Sequence, residues 1–574
     1  MFSQLASVYE ELERTASGNK LRQILSQLFK KTSKDEVDKV AYLTLGSIAS
    51  EYEDVNMGMA EKMVLRSIAR ATGKSQDEIN HLFKKKGDIG IVAEAMVGRK
   101  RKELSVKEVF ETLHKIASAT GFGSQERKTE LLANLLKNAS AKEARYLARI
   151  VLGTLRLGVG DKTILDALGI AFTGTKAHKA RIEHAYNICP DVGIIAKTIA
   201  KKGLKGIDKI EVALGRPIQM MLCQRVGTLS EVEKHMDFPI AVEEKYDGER
   251  IQVHKKGSNI VLFSRRLENI THQFPDVVAE IKKNVKAKDC VIEGEVMAVD
   301  KKGNLLPFQV LMQRRRKYKV EEYIKKIPVC LFLFELLYLK GKSYIRRSYP
   351  ERQAALQKIV KESQGLKLAV KKICKNTECA EELFNQTIQR GGEGIVIKSL
   401  AKDSVYKAGV RGWSWIKWKP EYAKELRDTF DLVVIGAFHG RGKRAGTYGA
   451  LLCAAYNDKE DRFETFCKLG SGFTDKELEE LPSKFKKYAI KHKPARVKAT
   501  KAMEPDIWFD PNIVLEVIGS EITRSPNHAC AIEKGQGLAL RFPRFLHYRH
   551  EKAPEQATTA KEILQLFTKR TRKS

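Results

Sequence analysis

At Gly215-Arg216-Pro217-Ile218 the apolar pattern of this chain changes period, and the change dictates more than one kind of domain. Before it, residues 128–137 and 141–155 carry apolar side chains at i, i+3 and i+4, the spacing of one helix face. After it, short apolar or alternating runs between glycine-rich turns read as strands up to about residue 422. Glycine and proline at the boundary stop a helix from running through. A second break, Pro420-Glu421-Tyr422 and the charged stretch to Asp428, precedes another set of short strands. These begin Phe430-Asp431-Leu432-Val433-Val434-Ile435-Gly436 and Gly449-Ala450-Leu451-Leu452-Cys453-Ala454-Ala455, with turns such as His439-Gly440-Arg441-Gly442. A chain of 574 residues is too long for one core.

The expected parts are an all-α region (1–212), an α+β region (213–424) and an all-β region (425–574) of small-barrel, OB type. The last ends in a helix over 559–567 and a basic tail, Lys569-Arg570-Thr571-Arg572-Lys573. In the helical region Leu147, Val151 and Leu155 read as core, and Arg145 and Arg149 as a solvated or phosphate-facing stripe. Leu155-Arg156-Leu157-Gly158-Val159-Gly160-Asp161 is expected to end one helix and open another, its backbone amides suited to a phosphate.

Lysine plus arginine number 104 against 71 acids, a formal charge of +33. A surplus of this size favours a polyanionic partner, most simply a nucleic acid. Nine cysteines are scattered without a C-x-x-C pair, so a zinc site is not expected and the reading is reduced, buried thiols in an intracellular protein. No apolar run approaches the roughly 18–20 residues needed to span a bilayer. Glu10, Glu11, Glu13 and Arg14 fall where a signal peptide needs apolar residues.

The chemistry concentrates in Glu243-Glu244-Lys245-Tyr246-Asp247-Gly248-Glu249-Arg250, a K-x-D-G-x-R pattern between the apolar run 239–242 and the alternating Ile251 and Val253. Lys245 is thus placed at a tight bend between two strands. A lysine amine attacks phosphorus only when neutral, a form that a neighbouring guanidinium, desolvation or a metal favours. Arg250 can supply that charge, and Gly248 allows close backbone approach to a phosphate. Downstream follow Ser264-Arg265-Arg266, a strand carrying Glu293 and Glu295 on one face, and the apolar strand around Phe334. Then come Gly391-Gly392-Glu393-Gly394-Ile395-Val396-Ile397-Lys398, Arg411-Gly412-Trp413-Ser414-Trp415-Ile416-Lys417-Trp418-Lys419, and Leu540-Arg541-Phe542-Pro543-Arg544-Phe545.

In this order the motifs resemble those of ATP-dependent DNA ligases of the archaeal and eukaryotic replicative type, covalent nucleotidyltransferases. The resemblance runs from Tyr52-Glu53-Asp54 to Ala557-Thr558-Thr559. It implies an all-α DNA-binding domain, an α+β nucleotidyltransferase (adenylation) domain and an all-β OB-fold domain. It also implies that Lys245 is the catalytic nucleophile toward ATP, with Mg²⁺ as the metal. Glu243 matches the adenine acceptor and Phe334 the ring that stacks on the base. Arg250 and Arg265 match phosphate or ribose contacts, and Glu295 and Glu393 the metal carboxylates, Glu295 also a ribose contact. Asp247 completes the first motif, and Glu293 matches a less central outer partner. Lys398, Arg411, Lys417 and Lys419 match phosphate contacts; Arg541 and Arg544 match groups that orient departing pyrophosphate. Glu393 and Lys398 are five apart, so Glu393 must precede the strand or the strand must bulge.

The implied partner is nicked double-stranded DNA, the implied state a monomer, and the implied location the cytoplasm or, for an archaeal source, the nucleoid. Some relatives carry a sliding-clamp box of glutamine, an aliphatic residue and paired aromatics; the comparable stretch here is Gly98-Arg99-Lys100-Arg101-Lys102-Glu103, so the sequence gives no clear clamp box. An RNA ligase or capping-type nucleotidyltransferase, and a DNA-binding relative without catalysis, are the alternatives. The long basic helical region argues against the former; Lys245, Glu295, Glu393 and Lys417 argue against the latter.

Overall fold

The computed structural model describes the chain except residues 16, 99–101, 156, 315–319, 391, 420–428, 441–445 and 572–574, and the side chains of 320–321 and 569–571. The expected linker at 420–428, Arg156, Gly391, the turn residues Arg441 and Gly442, and most of the basic runs at 99–101 and 569–573 therefore lie outside the described residues. Contacts group the rest into two compact units, Met1–Tyr422 and Ala423–Ser574.

The first 207 residues are helical, from Phe2–Glu13 to Val192–Ile207. Leu147, Val151 and Leu155 are buried, as their spacing requires. Two expectations here need correction. The helix Ala141–Val151 stops before Leu155, because Gly153 takes φ +68°, the left-handed turn that commonly ends helices. Arg145 and Arg149 are not a solvated stripe: Arg145 is half-buried, Arg149 is buried, and both are held in ion pairs. Arg145 lies 2.7 Å from Glu13 and 3.3 Å from Glu94; Arg149 binds Glu13 and lies 3.1 Å from Asp88. The helices Phe2–Glu13 and Ile89–Met96 pack over this one and bring their acids to its arginines. Lys102, from the basic run, pairs with Glu108 at 2.9 Å.

The strand-rich region holds eleven strands among its described residues: β1 Leu222–Arg225, β2 Ile240–Lys245, β3 Glu249–Lys256, β4 Asn259–Ser264, β5 Asp289–Ala298, β6 Val329–Leu339, β7 Lys342–Ser343, β8 Leu366–Leu368, β9 Lys371–Cys374, β10 Gly394–Ser399 and β11 Arg411–Trp418. They form two sheets, β1-β11-β10-β2-β9 and β4-β3-β5-β6-β7, with β8 pairing β6. Only β1–β11 and β6–β8 pair in parallel. One face of the second sheet packs Ile251, Val253, Ile292 and Leu333 against the helix Pro275–Asn284 and its neighbours. A further cluster of Ile188, Val212, Ile218, Met221, Leu337 and Trp415 joins the helical and strand-rich regions through a shared core.

The cysteine reading holds for seven free thiols, of which Cys330 and Cys453 are buried in strands and Cys223 is half-buried. It is corrected for Cys374 and Cys379, which form a disulfide across 5.4 Å between Cα atoms. The end of β9 and the start of the helix Thr377–Gln389 bring them together, with the Asn376 side chain capping that helix at the Cys379 amide.

In the second unit the long β12, Thr429–His439, pairs with β13, Tyr448–Asn457, on one side and with Ile507–Phe509 and Val514–Ile518 on the other. The result is a β-sheet unit that also carries the helix Asp475–Phe485, with a final helix Ala560–Thr571 that starts where expected but runs four residues longer. The Thr559 hydroxyl caps it by accepting the Glu562 N–H at 3.1 Å. Among the described residues no helix is long and apolar enough to cross a membrane.

The polar row of β3 is interior. Gln252 is fully buried and His254 nearly so. The Gly215 N–H donates to His254 Nδ1 at 3.1 Å, which leaves Nε2–H to donate to Gln252 Oε1 at 2.9 Å. Gln252 also accepts the Ile218 N–H at 2.8 Å, pinning the Gly-Pro boundary to the sheet. Burial pushes the His254 pKa down to about 3 from its usual 6.5. Between those values the unfolded chain binds more protons than the folded one, so stability falls as pH drops below 6.5. We expect this one group to contribute on the order of 1 kcal/mol per pH unit in that window. His254→Gln should flatten the dependence of the denaturation midpoint between pH 4 and 6.5, followed by circular dichroism. An unaltered slope in the variant would contradict the assignment.

Candidate active site

Lys245 is the last residue of β2, and Glu249 opens β3 four residues later. The two strands belong to different sheets, so the bend is a crossing between sheets rather than a hairpin. Gly248 is required there by packing. A Cβ on it would stand 2.2 Å from the Val296 carbonyl oxygen and 2.6 Å from Met297 Sδ, so only glycine lets the crossing lie against β5. Between the sheets opens a cleft of about 440 Å³, lined from both sides. That volume is within the usual range for a small-molecule site.

The closed end of the cleft is built around Glu243, two residues before Lys245 and on the same face. Glu243 is 4% exposed. Its Oε1 accepts a hydrogen bond from the Tyr349 hydroxyl at 2.5 Å, and its Oε2 lies 2.7 Å from Lys398 Nζ. Lys398 is itself buried, 4.3 Å from the centre of the Trp415 ring and 4.9 Å from that of Phe334. Phe334 is not simple core. The β5–β6 register runs Glu293↔Glu335 and then Gly294↔Leu333, leaving Phe334 as the extra residue of a bulge. A bulge re-aims a side chain, and this one turns the Phe334 ring into the cleft wall.

Arg250 lies across the cleft floor. Its Nη2 donates to Glu293 at 2.8 Å and its Nη1 to the Met221 carbonyl at 2.8 Å. Those contacts commit its fork to the protein, while the buried Nε has no partner. Glu293 and Glu295 face the same side of β5, as expected, but differ in depth. Glu293 is fully buried, bound by Arg250, Gln252 and Tyr406, and is a support rather than an outer group. Glu295 lines the cleft, where burial raises its carboxyl to about 7 against the lowering pull of Lys245 and Arg250.

Glu393 precedes β10, the first of the two arrangements that its five-residue spacing to Lys398 allows. Its N–H donates to the Lys245 carbonyl at 3.1 Å, and its carboxylate pairs with both Lys245 and Lys419. Gly394 takes φ +144°, and a Cβ there would stand 2.3 Å from the Trp418 carbonyl oxygen. Arg265, Arg411 and Lys417 complete the lining at the open end. Asp247 sits in the crossing itself. Arg541 and Arg544 belong to the second unit, both exposed, on either side of the turn at Phe542 and Pro543; Phe542 is 77% exposed.

Sequence reasoning missed Tyr349, Tyr406 and Gln252, which hold the carboxylates of Glu243 and Glu293. Gln252 carried a signal, since it alternates with Ile251 and Val253; its polar face was simply not a solvent face. The site fits a nucleotide on three counts: an unpaired buried donor at Arg250, an aromatic wall, and a row of cations at the open end. Of the two carboxylates expected at a metal, Glu295 lines the cleft and Glu393 stands beside Lys245; among the described residues no three possible metal ligands cluster.

Comparison with known proteins agrees with this geometry. Residues 1–169 match the model for the DNA ligase N terminus, 220–419 that for the ATP dependent DNA ligase domain, and 444–552 that for the ATP dependent DNA ligase C terminal region. DNA ligase 1 of Methanosarcina acetivorans is 45% identical over 573 residues, covering 98% of this chain and 99% of the relative. DNA ligase 2 of Thermofilum pendens is 46% identical over 585 residues, covering 99% and 97%. The solved structure named Pmar-Lig_PreS3 shares the fold, with a TM-score of 0.55 at 19% identity over 95% of this chain and 99% of that one. On identity of that extent over nearly the full length, the chain belongs to the ATP-dependent DNA ligases.

Proposed function

We propose that this enzyme seals nicks in double-stranded DNA through an adenylate carried on Lys245. The supporting observation is the placement of Lys245 beside Glu393 at the end of β2, with Glu243 two residues deeper on the same strand face. Residues i and i+2 of a strand stand roughly 7 Å apart. A purine held at Glu243 and Phe334 therefore lays its phosphates beside the Lys245 amine. The amine attacks the α-phosphorus of ATP, the bond to the β-phosphate oxygen breaks, and pyrophosphate leaves. The AMP then passes to the 5′-phosphate of the nick as the N–P bond breaks. The adjacent 3′-hydroxyl displaces AMP and closes the strand. Each step is phosphoryl transfer, in which the protein aligns groups and offsets negative charge.

Lys417 and Arg411 face the phosphates, Arg265 the ribose or phosphate, and Lys419 holds Glu393 in place. Lys398, expected at a phosphate, takes a different part in this reading, since its ammonium is spent on Glu243 and the Phe334 carbonyl at the base end. Glu295 and Glu393 would hold Mg²⁺, which supplies charge neutralisation at the phosphate oxygens. Arg541 and Arg544 orient the departing pyrophosphate. The enzyme works as a monomer, and no clear clamp-binding box is assigned.

Lys245→Ala should abolish labelling of the protein by α-labelled ATP while leaving nick binding nearly intact; a surviving covalent adduct would remove Lys245 from its role. Arg541→Ala should slow self-adenylylation and spare sealing of a pre-adenylylated nick, whereas equal loss in both assays would contradict the pyrophosphate assignment. Affinity for nicked DNA should fall steeply with salt, by about 10³ between 50 and 200 mM if some six phosphates are contacted. A flat response would deny the +33 surplus a place in the DNA footprint.

A further inference from the structure

The helix Tyr349–Ile359 lies outside every motif that drew attention in the sequence, yet it touches both halves of the base end. Its first turn presents Tyr349, Arg352 and Gln353 at i, i+3 and i+4, hence on one face. Tyr349 is 1% exposed and donates its hydroxyl to Glu243 Oε1 at 2.5 Å. Gln353 Nε2 donates to the Phe334 carbonyl at 2.7 Å. Arg352 grips Glu335, the residue after Phe334, with a two-pronged pair at 2.8 and 2.9 Å, and both partners are fully buried. Glu243 is on β2 and Phe334 on β6, in different sheets. One rigid helix turn therefore fixes the hydrogen-bonding group and the stacking ring relative to each other. The Tyr349 backbone is anchored in turn, its N–H donating to Ser404 Oγ at 3.0 Å.

We propose that Tyr349 is the positioning residue that sets base selection at this site, by holding Glu243 as a fixed, acceptor-only carboxylate. This rests on the reading of Glu243 as the base contact. An ionised carboxylate has about four lone-pair positions. Tyr349 takes one on Oε1 and Lys398 one on Oε2, and neither leaves Glu243 a proton to donate. What remains toward the cleft accepts only. An exocyclic amine, as on adenine, satisfies it; the carbonyl oxygen at the same position of guanine sets acceptor against acceptor in a desolvated pocket. A phenol in place of water also stops the carboxylate from rotating to suit a second base, because its ring is wedged beside Lys398 with 5.0 Å between ammonium and ring centre.

The test is self-adenylylation kinetics with Mg²⁺ and either ATP or GTP, on Tyr349→Phe, Glu243→Gln and the parent enzyme. Tyr349→Phe keeps the ring and removes only the hydroxyl. We expect it to raise KM for ATP about tenfold and to narrow the ATP-over-GTP preference in kcat/KM by a similar factor, with a much smaller change in kcat. A merely structural role would lower kcat for both nucleotides in parallel and leave their ratio alone; that result, or parent-like KM and ratio, overturns the proposal. Tyr349→Leu, which loses ring and hydroxyl, should shift the ratio at least as far as Tyr349→Phe, and a parent-like ratio there also overturns it. If Glu243→Gln moves KM and ratio while Tyr349→Phe does not, only the inference about Tyr349 fails. If Glu243→Gln moves neither, Glu243 is not the base contact and both readings fall.

Discussion

The Arg250–Glu293 pair is the contact on which the cleft depends. Arg250 extends from β3, in one sheet, to the Met221 carbonyl at the approach to β1, in the other. Its other nitrogen holds Glu293, which also receives Tyr406 and Gln252. The Tyr406 hydroxyl closes the circuit by accepting the Met221 N–H at 2.8 Å. Every polar group in this circuit except Arg250 Nε is satisfied, which is the condition under which burying two charges is tolerable. Removing either partner would strand the other at a cost of about 3–5 kcal/mol, and the separation of the sheets would lose its strut. The cleft is therefore a consequence of a specific polar network and not of loosely packed sheets.

From that frame the chemistry follows by geometry. The chain can change sheets at 246–248 because Gly248 lies flat against β5, and the change leaves Lys245 at a strand end. A strand end gives Lys245 a fixed backbone, with its side chain paired to Glu393. Glu393 sits in the corresponding place on β10, since Gly394↔Lys245 is the terminal register pair. Two strand termini thus face each other with opposite charges, and Lys419, just past the end of β11, shares the same Glu393 carboxylate, so the trio carries one positive charge in excess.

Much of this was legible in the sequence because it depended on local rules. The change of period at Gly215-Arg216-Pro217, the three region types and the position of Glu393 before its strand all follow from periodicity and turn chemistry. The acids of β5 were correctly placed on one face, but their depth was not, since depth is set by β3 and by Tyr406, 113 residues away from Glu293. Arg145 and Arg149 misled for the same reason: a stripe of arginines on one helix looks solvated until Glu13 and Asp88, 132 and 61 residues distant, arrive from other helices. The Phe334 bulge was invisible because an apolar run carries no mark of an extra residue. Cys374 and Cys379 lay five apart in plain view, and only the turn geometry distinguishes a disulfide from two thiols.

The two ends of the cleft obey opposite electrostatic requirements. At the closed end Glu243 and Lys398 are almost wholly removed from water, and each charge is matched inside the protein by Tyr349, the Phe334 carbonyl and aromatic faces. Such a group is costly to disturb, so its donors and acceptors keep one arrangement. At the open end Arg265 and Arg411 are exposed, and Lys245 is paired to a carboxylate whose second partner is another lysine. The two arginines there are solvated and cheap to move, while Lys245, Glu393 and Lys419 are only partly exposed. Under the proposed reading, specificity falls at the buried end and turnover at the more exposed one, along a single strand face from Glu243 to Lys245.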